Sequence, residues 1–367
     1  MISLARALRY GFLGLKHSLT GLGPPAFVTL FVTSRCNARC DHCFYWRNID
    51  DSAERDELTL DEFTRISASM GEIYNLLISG GEPFLRDDLA DICIQFCRQN
   101  RVSHLVIPSN GFLPDKIVPQ VEKILTRCPE TRTVVQLSVD GPPELHDEIR
   151  GVPGGFKRLV ETHAGLLRLK QKLDGLGLMF CITVTTANQD RMYEIIDFVR
   201  DTFSRPNINL IYVRGKPRDP ALKKVDPEKY RTALKYLIED EKKQGRWNNR
   251  PITEGLYLLR RELEASLILE TGQNEHRIIP CTAGKLTCVI DETGNVWPCE
   301  LLCKKLGNLR EAGYDFKRIW KSQEANLCRA YITAGDCYCT QETNIMSSLT
   351  FSPQTLLYYL KKRGHLL

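Results

Sequence analysis

The alternation of apolar runs with helical patterns restricts the fold of this chain more than any other feature of its sequence. Runs rich in Val, Ile, Leu and Phe recur six times between residues 27 and 213, and stretches with helical periodicity separate them. This alternation is typical of repeated βα units, in which parallel strands form one sheet and helices cover it. The predicted strands are FVTLFVT (27–33), NLLIS (75–79), HLVIP (104–108), TVVQLSV (133–139), GLMFCITV (177–184) and NINLIYV (207–213).

Helical patterns occupy the intervals between these strands. Thr59 and Glu62 have the spacing of a capping box, which predicts the start of the first helix. Six units are too few to close an eight-stranded barrel, so the sequence predicts an α/β fold with a partial (β/α)6 TIM-like barrel whose open side is covered by another part of the chain. The predicted helices span 59–70, 86–100, 114–128, 155–173 and 190–203.

The carboxyl ends of the predicted strands carry the most distinctive residues of the chain. Ligands bind at this edge in parallel α/β sheets. The sequence therefore predicts one ligand site there. Its segments are Cys36 to Cys43, Gly80 to Pro83, Ser109 to Gly111, and Ser138 to Gly141.

Composition changes after Arg214, where a charged helical stretch leads into a cysteine-rich end. We expect this end to form a small C-terminal cysteine-rich domain. Residues near the amino terminus are apolar with interspersed Arg and Lys, a pattern typical of an amphipathic helix and too charged to span a bilayer. The predicted parts are an amphipathic segment (1–26), the partial barrel (27–214), a helical linker (215–275), the cysteine-rich domain (276–340) and a tail (341–367).

Charge and cysteine content restrict the cell compartment and the partners. The net charge is +5 over 367 residues, and acids accompany the Lys and Arg residues, so no basic stripe indicates a nucleic-acid partner. Fourteen cysteines without a secretory signal favour a reducing cytoplasm. The amphipathic segment and the tail LLYYLKKRGHLL (356–367) also allow a weak membrane-peripheral contact. We expect Cys93, Cys97 and Cys181 to be ordinary core residues.

Three cysteines follow the first predicted strand with the spacing C-x3-C-x2-C. Cys36, Cys40 and Cys43 lie on one loop, so their thiolates can converge on one inorganic centre. A structural zinc site normally has four protein ligands, and this loop offers three. A 4Fe-4S cluster has four irons, so three cysteines would leave one iron open to a non-protein ligand. Zinc and chance proximity remain alternatives.

This loop resembles the signature of the radical SAM superfamily, in which S-adenosylmethionine (SAM) chelates the open iron of the cluster. Gly80-Gly81-Glu82-Pro83 is similar to the GGEP segment of that family, and the resemblance implies that it binds the methionine amino group. The resemblance extends over residues 27–214. It implies reductive cleavage of SAM to a 5′-deoxyadenosyl radical that abstracts a hydrogen atom from the substrate.

Further positions match SAM-binding residues of the same family. The resemblance implies that two segments approach the ribose and methionine, and that an arginine pairs with the SAM carboxylate. Turn chemistry after a strand is the alternative. His42 holds the place of an aromatic residue beside the adenine, and we expect it to pack or to form hydrogen bonds. The matching residues are Ser109, Asn110, Ser138, Asp140 and Arg150.

A second cysteine group resembles the auxiliary-cluster domains of radical SAM enzymes, called SPASM or, in a shorter form, twitch. Cys281, Gly294 and Cys299 have the spacing C-x12-G-x4-C, and Gly294 is expected to turn a hairpin. A full SPASM domain has more downstream cysteines than Cys328 and the Cys337-Tyr338-Cys339 pair. One auxiliary 4Fe-4S cluster is therefore favoured, with two clusters, zinc or no metal as alternatives. The expected ligands are Cys281, Cys299, Cys337 and Cys339, and Cys328 could replace either member of the pair.

The segment LSVDGPPELHDEIRGVPGGFKRLV (137–160) resembles peptide- and protein-modifying members of the superfamily. A cluster with four cysteine ligands suits electron transfer. We therefore expect an enzyme that oxidises or cross-links a peptide or protein side chain, with a flavodoxin or ferredoxin as electron donor. The alternatives are a small metabolite, sugar or lipid-linked substrate, and a non-catalytic iron–sulfur carrier.

Other functional roles are less specified by the sequence. Only about 26 residues precede the first strand, fewer than a leader-peptide-binding domain needs. Arg214 and Thr185 follow predicted strands and are expected to face the cavity or to be structural. Acidic residues are plentiful, and the sequence marks none of them as a general base.

Overall fold

Nine strands join into one sheet in the computed structural model of this chain, which describes residues 23–243 and 251–352, the side chains of residues 251–257 excepted. The sheet has the strand order β6-β5-β4-β3-β2-β1-β7-β8-β9. The strands are β1 (Phe27–Thr33), β2 (Asn75–Gly80), β3 (His104–Ser109), β4 (Arg132–Ser138), β5 (Leu176–Val184), β6 (Asn207–Tyr212), β7 (Thr287–Ile290), β8 (Asn295–Trp297) and β9 (Gly307–Asn308).

Helices alternate with the first six strands and then cover the C-terminal part. The capping box of Thr59 and Glu62 is confirmed at the start of α2. The helices are α1 (Trp46–Asp50), α2 (Leu60–Ser69), α3 (Leu89–Gln99), α4 (Pro114–Arg127), α5 (Pro143–Arg150), α6 (Gly155–Lys172), α7 (Met192–Thr202), α8 (Pro227–Lys243), α9 (Pro251–Asn274), α10 (Phe316–Trp320), α11 (Gln323–Ala334) and α12 (Glu342–Phe351). Short 3-10 turns lie at Ser52–Glu54, Pro83–Leu85, Gln189–Arg191 and Pro220–Lys223.

Strands β1 to β6 are parallel and neighbour one another in chain order, which confirms the predicted partial barrel of six βα units. Their carboxyl ends meet at one edge of the sheet, as the alternation predicted. Leu30, Ile78 and Ile107 lie fully buried in the central strands and contribute to the main hydrophobic core. The core thus fixes the register of the strands whose ends carry the candidate site.

The C-terminal part of the chain continues the barrel sheet. β7 pairs in parallel with β1, from Phe27 opposite Thr287 to Leu30 opposite Ile290. β8 returns antiparallel to β7, and Gly294 has the positive φ of +84° that the connecting turn requires. All of β1 is buried, because β2 and β7 flank its two edges. The expected domain boundary at residue 276 therefore separates segments that one sheet joins.

The structure contains a short helix that was not predicted, and two predicted segments lie outside the residues that it describes. Helix α5 is not among the predicted helices; it begins at Pro143 and is followed by Gly151, which has a φ of +63°. The predicted N-terminal amphipathic helix and the tail 356–367 lie outside the described residues. Among the residues that the structure does describe, we find no helix with the length and hydrophobicity needed to cross a membrane.

Candidate active site and auxiliary cysteine site

The three-cysteine loop lies between β1 and α1. Cys40 is buried and Cys36 and Cys43 are half-buried, and the Cys43 amide donates to the Cys40 carbonyl over 3.1 Å. Burial and the neighbouring charges raise the pKa of Cys36 to about 12 and that of Cys43 to about 11. The three thiols therefore share a poorly hydrated space, where thiolates need a cationic centre to compensate their charge.

The donor set of this loop, three thiols, is compatible with an iron–sulfur cluster. Within residues 23–243 and 251–352, no three His, Cys, Asp or Glu side chains approach closely enough to surround a single metal ion. Electrostatic coupling of Cys36 to both Cys40 and Cys43 nevertheless shows that the thiols are near one another. A cubane of four irons is wider than one ion and holds its thiolates apart. The residues present thus suit a 4Fe-4S cluster with one iron open.

Glu57 organises the backbone where β1 becomes the cysteine loop. Its Oε1 accepts hydrogen bonds from Thr33 Oγ1 over 2.7 Å and from the Ser34 amide over 2.7 Å. Arg86 donates from Nη1 to the Val32 and Leu58 carbonyls, both over 2.9 Å, and lies beside Glu57. Glu57 and Arg86 were not predicted, because no motif distinguishes them from other charged residues.

The glycines of the GGEP segment pack against the backbone of the cysteine loop. The Gly81 amide donates to the Thr33 carbonyl over 2.8 Å, and the Glu82 amide donates to the Arg35 carbonyl over 2.9 Å. A Cβ atom on Gly81 would lie 2.1 Å from the Arg35 carbonyl oxygen, and one on Gly80 would lie 2.2 Å from that of Thr33. Both positions therefore need glycine for close contact with the loop.

The Glu82 carboxylate joins the ends of β2 and β3. It is fully buried and accepts from Ser109 Oγ over 2.9 Å and from the Asn110 amide over 2.8 Å. Burial raises its pKa to about 7 despite these hydrogen bonds. The Asn110 side chain in turn donates to Asn37 of the cysteine loop over 2.7 Å. The structure thus brings the predicted GGEP and SNG segments together beside the loop, and their contact with SAM stays a prediction.

A buried ion pair reaches the loop from the other side. Arg150 donates from Nε to Asp140 Oδ2 over 2.7 Å, and its Nη1 lies 3.7 Å from Cys40 Sγ. Although burial acts in the opposite direction, the Arg150 guanidinium holds the pKa of Asp140 below its usual value. Arg150 is already paired with Asp140. The predicted role of Arg150, binding of the SAM carboxylate, stays a prediction.

Two further predicted positions have clear environments. Ser138 ends β4 and pairs in register with Cys181 of β5. Burial lowers the pKa of His42 to about 4, and its Nδ1 is buried with no hydrogen-bond partner in the described part of the chain. His42 is therefore a neutral, packed imidazole at neutral pH, in line with the packing role expected for it.

The four predicted auxiliary cysteines line one cavity of about 660 Å³, part of which is open to solvent. It lies where the β8 end approaches the loop between α11 and α12. Cys328 is buried in α11 and is not part of the cavity lining. The donor set fits a cluster with four thiolate ligands, and the apolar wall would limit its hydration. The lining cysteines are Cys281, Cys299, Cys337 and Cys339.

Arg214 lies between the two cysteine sites. It follows β6, and its guanidinium carbon is 5.6 Å from the centre of the Phe44 ring in the cysteine loop. Its Nη1 donates to Glu342 Oε2 over 2.5 Å, and its Nη2 donates to Glu300 Oε2 over 3.2 Å. Thr185, the other residue expected at the cavity, instead forms a turn in which its amide donates to Asn188 over 2.9 Å.

Comparison with known families agrees with this geometry. The radical SAM superfamily model matches residues 30–199, over the strands and the three-cysteine loop. Residues 30–199 form a radical SAM domain. A model of an iron–sulfur cluster-binding domain, SPASM, matches residues 281–341. The protein is therefore a radical SAM enzyme whose cofactors are a 4Fe-4S cluster, SAM and auxiliary iron–sulfur; the expected single auxiliary cluster stays a prediction.

Characterised relatives of this radical SAM chain are named for different activities. It is 25% identical to an AdoMet-dependent heme synthase of Oleidesulfovibrio alaskensis, over 82% of this chain and 76% of that protein. It is 23% identical to the antilisterial bacteriocin subtilosin biosynthesis protein AlbA of Bacillus subtilis, over 88% of this chain and 68% of that protein.

Solved structures share the fold of this radical SAM chain at low sequence identity. Streptococcus suis SuiB bound to S-adenosylmethionine superposes with a TM-score of 0.58 and 16% identity, covering 89% of this chain and 72% of SuiB. Native anSMEcpe with bound AdoMet and a Cp18Cys peptide gives a TM-score of 0.55 and 18% identity, covering 92% and 98% of the two chains.

Proposed function

We propose that this radical SAM enzyme oxidises or cross-links a side chain of a peptide or protein. When bound, the 4Fe-4S cluster and SAM supply an electron and a 5′-deoxyadenosyl radical that abstracts hydrogen. Cys36, Cys40 and Cys43 would hold the cluster, and the cavity with four cysteines would hold an auxiliary cluster that accepts an electron from the substrate. The observation that carries this proposal is the position of Arg214 and its two glutamates between the two cysteine sites.

Residues around the three-cysteine loop position different parts of the proposed SAM site. Glu82 holds Ser109 and Asn110 at the edge where SAM would bind, and Arg150 holds Asp140. These side chains are anchored by buried hydrogen bonds, so they are positioned before any ligand arrives. Preorganisation of this kind lowers the cost of orienting reactants.

Relatives support a peptide substrate. AlbA is named for subtilosin biosynthesis, SuiB has been solved with its precursor peptide SuiA, and anSMEcpe has been solved with peptides. The segment 137–160 resembles the same group of enzymes. Four cysteines around the second cavity leave no open ligand position on a cubane, which favours electron transfer over substrate coordination there.

A tetrapyrrole is the second candidate substrate, because curated relatives such as that of Methanosarcina barkeri, 26% identical over 82% of this chain, are named AdoMet-dependent heme synthase. Heme precursors carry carboxylate side chains that need cationic partners. Arg150 and Arg214 at this end of the barrel are each already paired with acids, which favours the peptide.

The test combines SAM cleavage with product mass. Anaerobically reconstituted enzyme is incubated with SAM, a chemical reductant or a flavodoxin, and either a peptide library or a carboxylated porphyrin precursor. We expect 5′-deoxyadenosine together with hydrogen loss from peptides. The matched variant Cys281→Ala should still cleave SAM and should lose the oxidised product. Modification of the porphyrin alone would replace the peptide proposal with the second candidate, and absence of 5′-deoxyadenosine would refute both.

A further inference from the structure

Arg214, Glu300 and Glu342, which we term the arginine–glutamate cluster, form a site that the cysteine chemistry does not explain. Arg214 follows β6, Glu300 follows the auxiliary cysteine Cys299, and Glu342 begins α12 just after Cys339. The side chain of Glu300 is 2% exposed, whereas those of Arg214 and Glu342 each retain 17% exposure. The cluster is thus anchored in the protein and borders open space.

Two polar atoms in this cluster remain unsatisfied. Nε of Arg214 and Oε1 of Glu342 are buried, and no described residue lies at hydrogen-bonding distance and angle from either atom; the backbone amides of Tyr212 and Glu342 lie near the same carboxylate without completing a hydrogen bond to Oε1. Burying a polar group without a partner is unfavourable, so such groups are rare unless something else satisfies them. Because Nη1 of Arg214 contacts Oε2 of Glu342, the free donor and the free acceptor lie on two joined groups.

Contacts with three parts of the chain place this donor and acceptor between the two cysteine sites. Phe44 of the cysteine loop packs on the Arg214 guanidinium. Cys181 of β5 is within electrostatic reach of both Glu342 and Arg214, and Cys339 is within reach of Arg214. A group bound here would therefore lie between the cysteine loop and the auxiliary cavity.

The chemistry of the free atoms selects among possible ligands. A carboxylate would face two glutamates, and an ammonium group would leave the Arg214 Nε–H unpaired. A secondary amide offers one carbonyl oxygen and one N–H, which match the free donor and acceptor. The terminal torsion of a glutamate is soft, so Oε1 can rotate toward an arriving group.

We propose that Arg214 and Glu342 bind an amide group of the substrate, with Arg214 Nε donating to the carbonyl oxygen and Glu342 Oε1 accepting from the N–H. Glu300 holds the guanidinium in place through Nη2. This subsite rests on the proposed peptide function and specifies which part of a peptide is recognised: the backbone amide or a side-chain amide, whatever the neighbouring side chain.

Small matched probes test the subsite without turnover. N-methylacetamide and methyl acetate have similar size, and only the amide carries an N–H. Binding of each to reconstituted enzyme with SAM and without reductant is measured by ligand-observed NMR titration. We expect the wild type to bind the amide about tenfold more tightly, as one hydrogen bond to a charged group implies. Equal affinity for the two probes in the wild type overturns the proposal, whatever the variants do.

Variants test whether the arginine–glutamate cluster is the site that prefers the amide probe to the ester probe. Glu342→Ala should bring the two affinities together. Arg214→Lys should instead weaken the binding of both probes to a similar extent, because both carry the carbonyl oxygen that Arg214 Nε would bind. Arg310→Lys is the matched control, because Arg310 also pairs with two acids, Glu62 and Asp56, away from the cavity. A tenfold preference retained in Glu342→Ala, or wild-type affinity for both probes in Arg214→Lys, contradicts the assignment. Peptide oxidation without amide preference would refute this subsite alone, and amide preference without any peptide modification would refute the proposed function alone.

Discussion

Gly81 shows how one missing side chain supports the cysteine loop. A methyl group there would meet the Arg35 carbonyl oxygen at 2.1 Å, and a backbone atom yields less readily than a flexible side chain. We expect Gly81→Ala to displace the loop, to destabilise the protein by roughly 1–3 kcal/mol and to lower the iron bound at Cys36, Cys40 and Cys43. Iron analysis and thermal unfolding measure both effects.

Gly272→Ala serves as its control, because Gly272 lies in α9 and an added Cβ would find its nearest neighbour at an ordinary 3.5 Å. Alanine favours a helix interior over glycine, so this variant should be neutral or slightly stabilised. If Gly81→Ala had the same iron content and melting temperature as wild type, the loop would have to accommodate a Cβ atom for which the structure leaves no space. That result would contradict the prediction.

The carboxyl group of Glu264 makes the free energy of unfolding depend on pH. Burial raises the pKa of the Glu264 carboxyl to about 7. The negative charge of Glu342 also raises this pKa, whereas the positive charges of Arg260 and Arg261 lower it. The folded state therefore binds this proton more tightly than the unfolded state. Its contribution to stability is complete below pH 4.5 and is lost as the pH rises through 7.

Glu264→Gln removes that titration. Relative to wild type, we expect the variant to gain roughly 1–3 kcal/mol in unfolding free energy between pH 5 and pH 8, because glutamine stays neutral. Melting temperatures across this range test the difference, with the exposed Glu239→Gln as a control that should stay parallel to wild type. A pH-independent difference for Glu264→Gln would mean that this carboxyl is charged when buried.

The β7–β8 hairpin holds the cysteine loop through one buried carboxylate. Glu292, in the hairpin turn, accepts hydrogen bonds from Tyr45 Oη and Arg55 Nε, and its carbonyl accepts from the Leu58 amide over 2.7 Å. Tyr45 comes two residues after Cys43. The C-terminal hairpin is therefore a structural support of the catalytic loop as well as part of the auxiliary site.

Breaking this support should weaken iron binding at the adjacent cysteine loop. The Glu292 side chain is fully buried while Arg55 is 22% exposed, so Glu292→Gln removes the charge that pairs with Arg55 and should release iron from the three-cysteine site faster under a chelator. Spectra that separate the two clusters should show the auxiliary cluster retained. The exposed Glu311→Gln provides the control, and equal release rates in Glu292→Gln and wild type would refute the coupling.

Elements of the barrel could be predicted because their signals are local. Strand β1 was placed at 27–33 as observed, since periodicity within a short window specifies a strand. The pairing of β7 with β1 could not be predicted, because it joins residues far apart in the chain. Cys36 and Cys281 were identified from spacing, whereas Glu57 and Glu292 have no motif and act only through contacts that the fold creates.

At the scale of the whole molecule, the two cysteine sites should load separately. Substitution of Cys36, Cys40 and Cys43 together by alanine should reduce the bound iron from about eight to about four atoms and abolish SAM cleavage. Cys281→Ala with Cys339→Ala should also leave about four irons, yet preserve cleavage of SAM. Iron analysis with EPR and 5′-deoxyadenosine assays distinguish these outcomes.

Cys328→Ala is the matched control for this experiment. Cys328 is buried in α11 but does not line the auxiliary cavity, so its removal should leave the iron content unchanged. Loss of iron in this variant would make Cys328 a ligand in place of Cys337 or Cys339. Zinc in place of iron in the wild type would refute the assignment of both sites.

The parallel pairing of β1 with β7 also governs how this chain reaches its native state. About 260 residues separate the paired positions Phe27 and Thr287, so β1 keeps one unpaired edge until residues 287–290 have been synthesised. Contacts of such high sequence separation form slowly, and open strand edges promote association between chains. The unpaired edge therefore promotes association between nascent chains, and we expect the soluble yield to rise when chaperones that shield such edges are co-expressed.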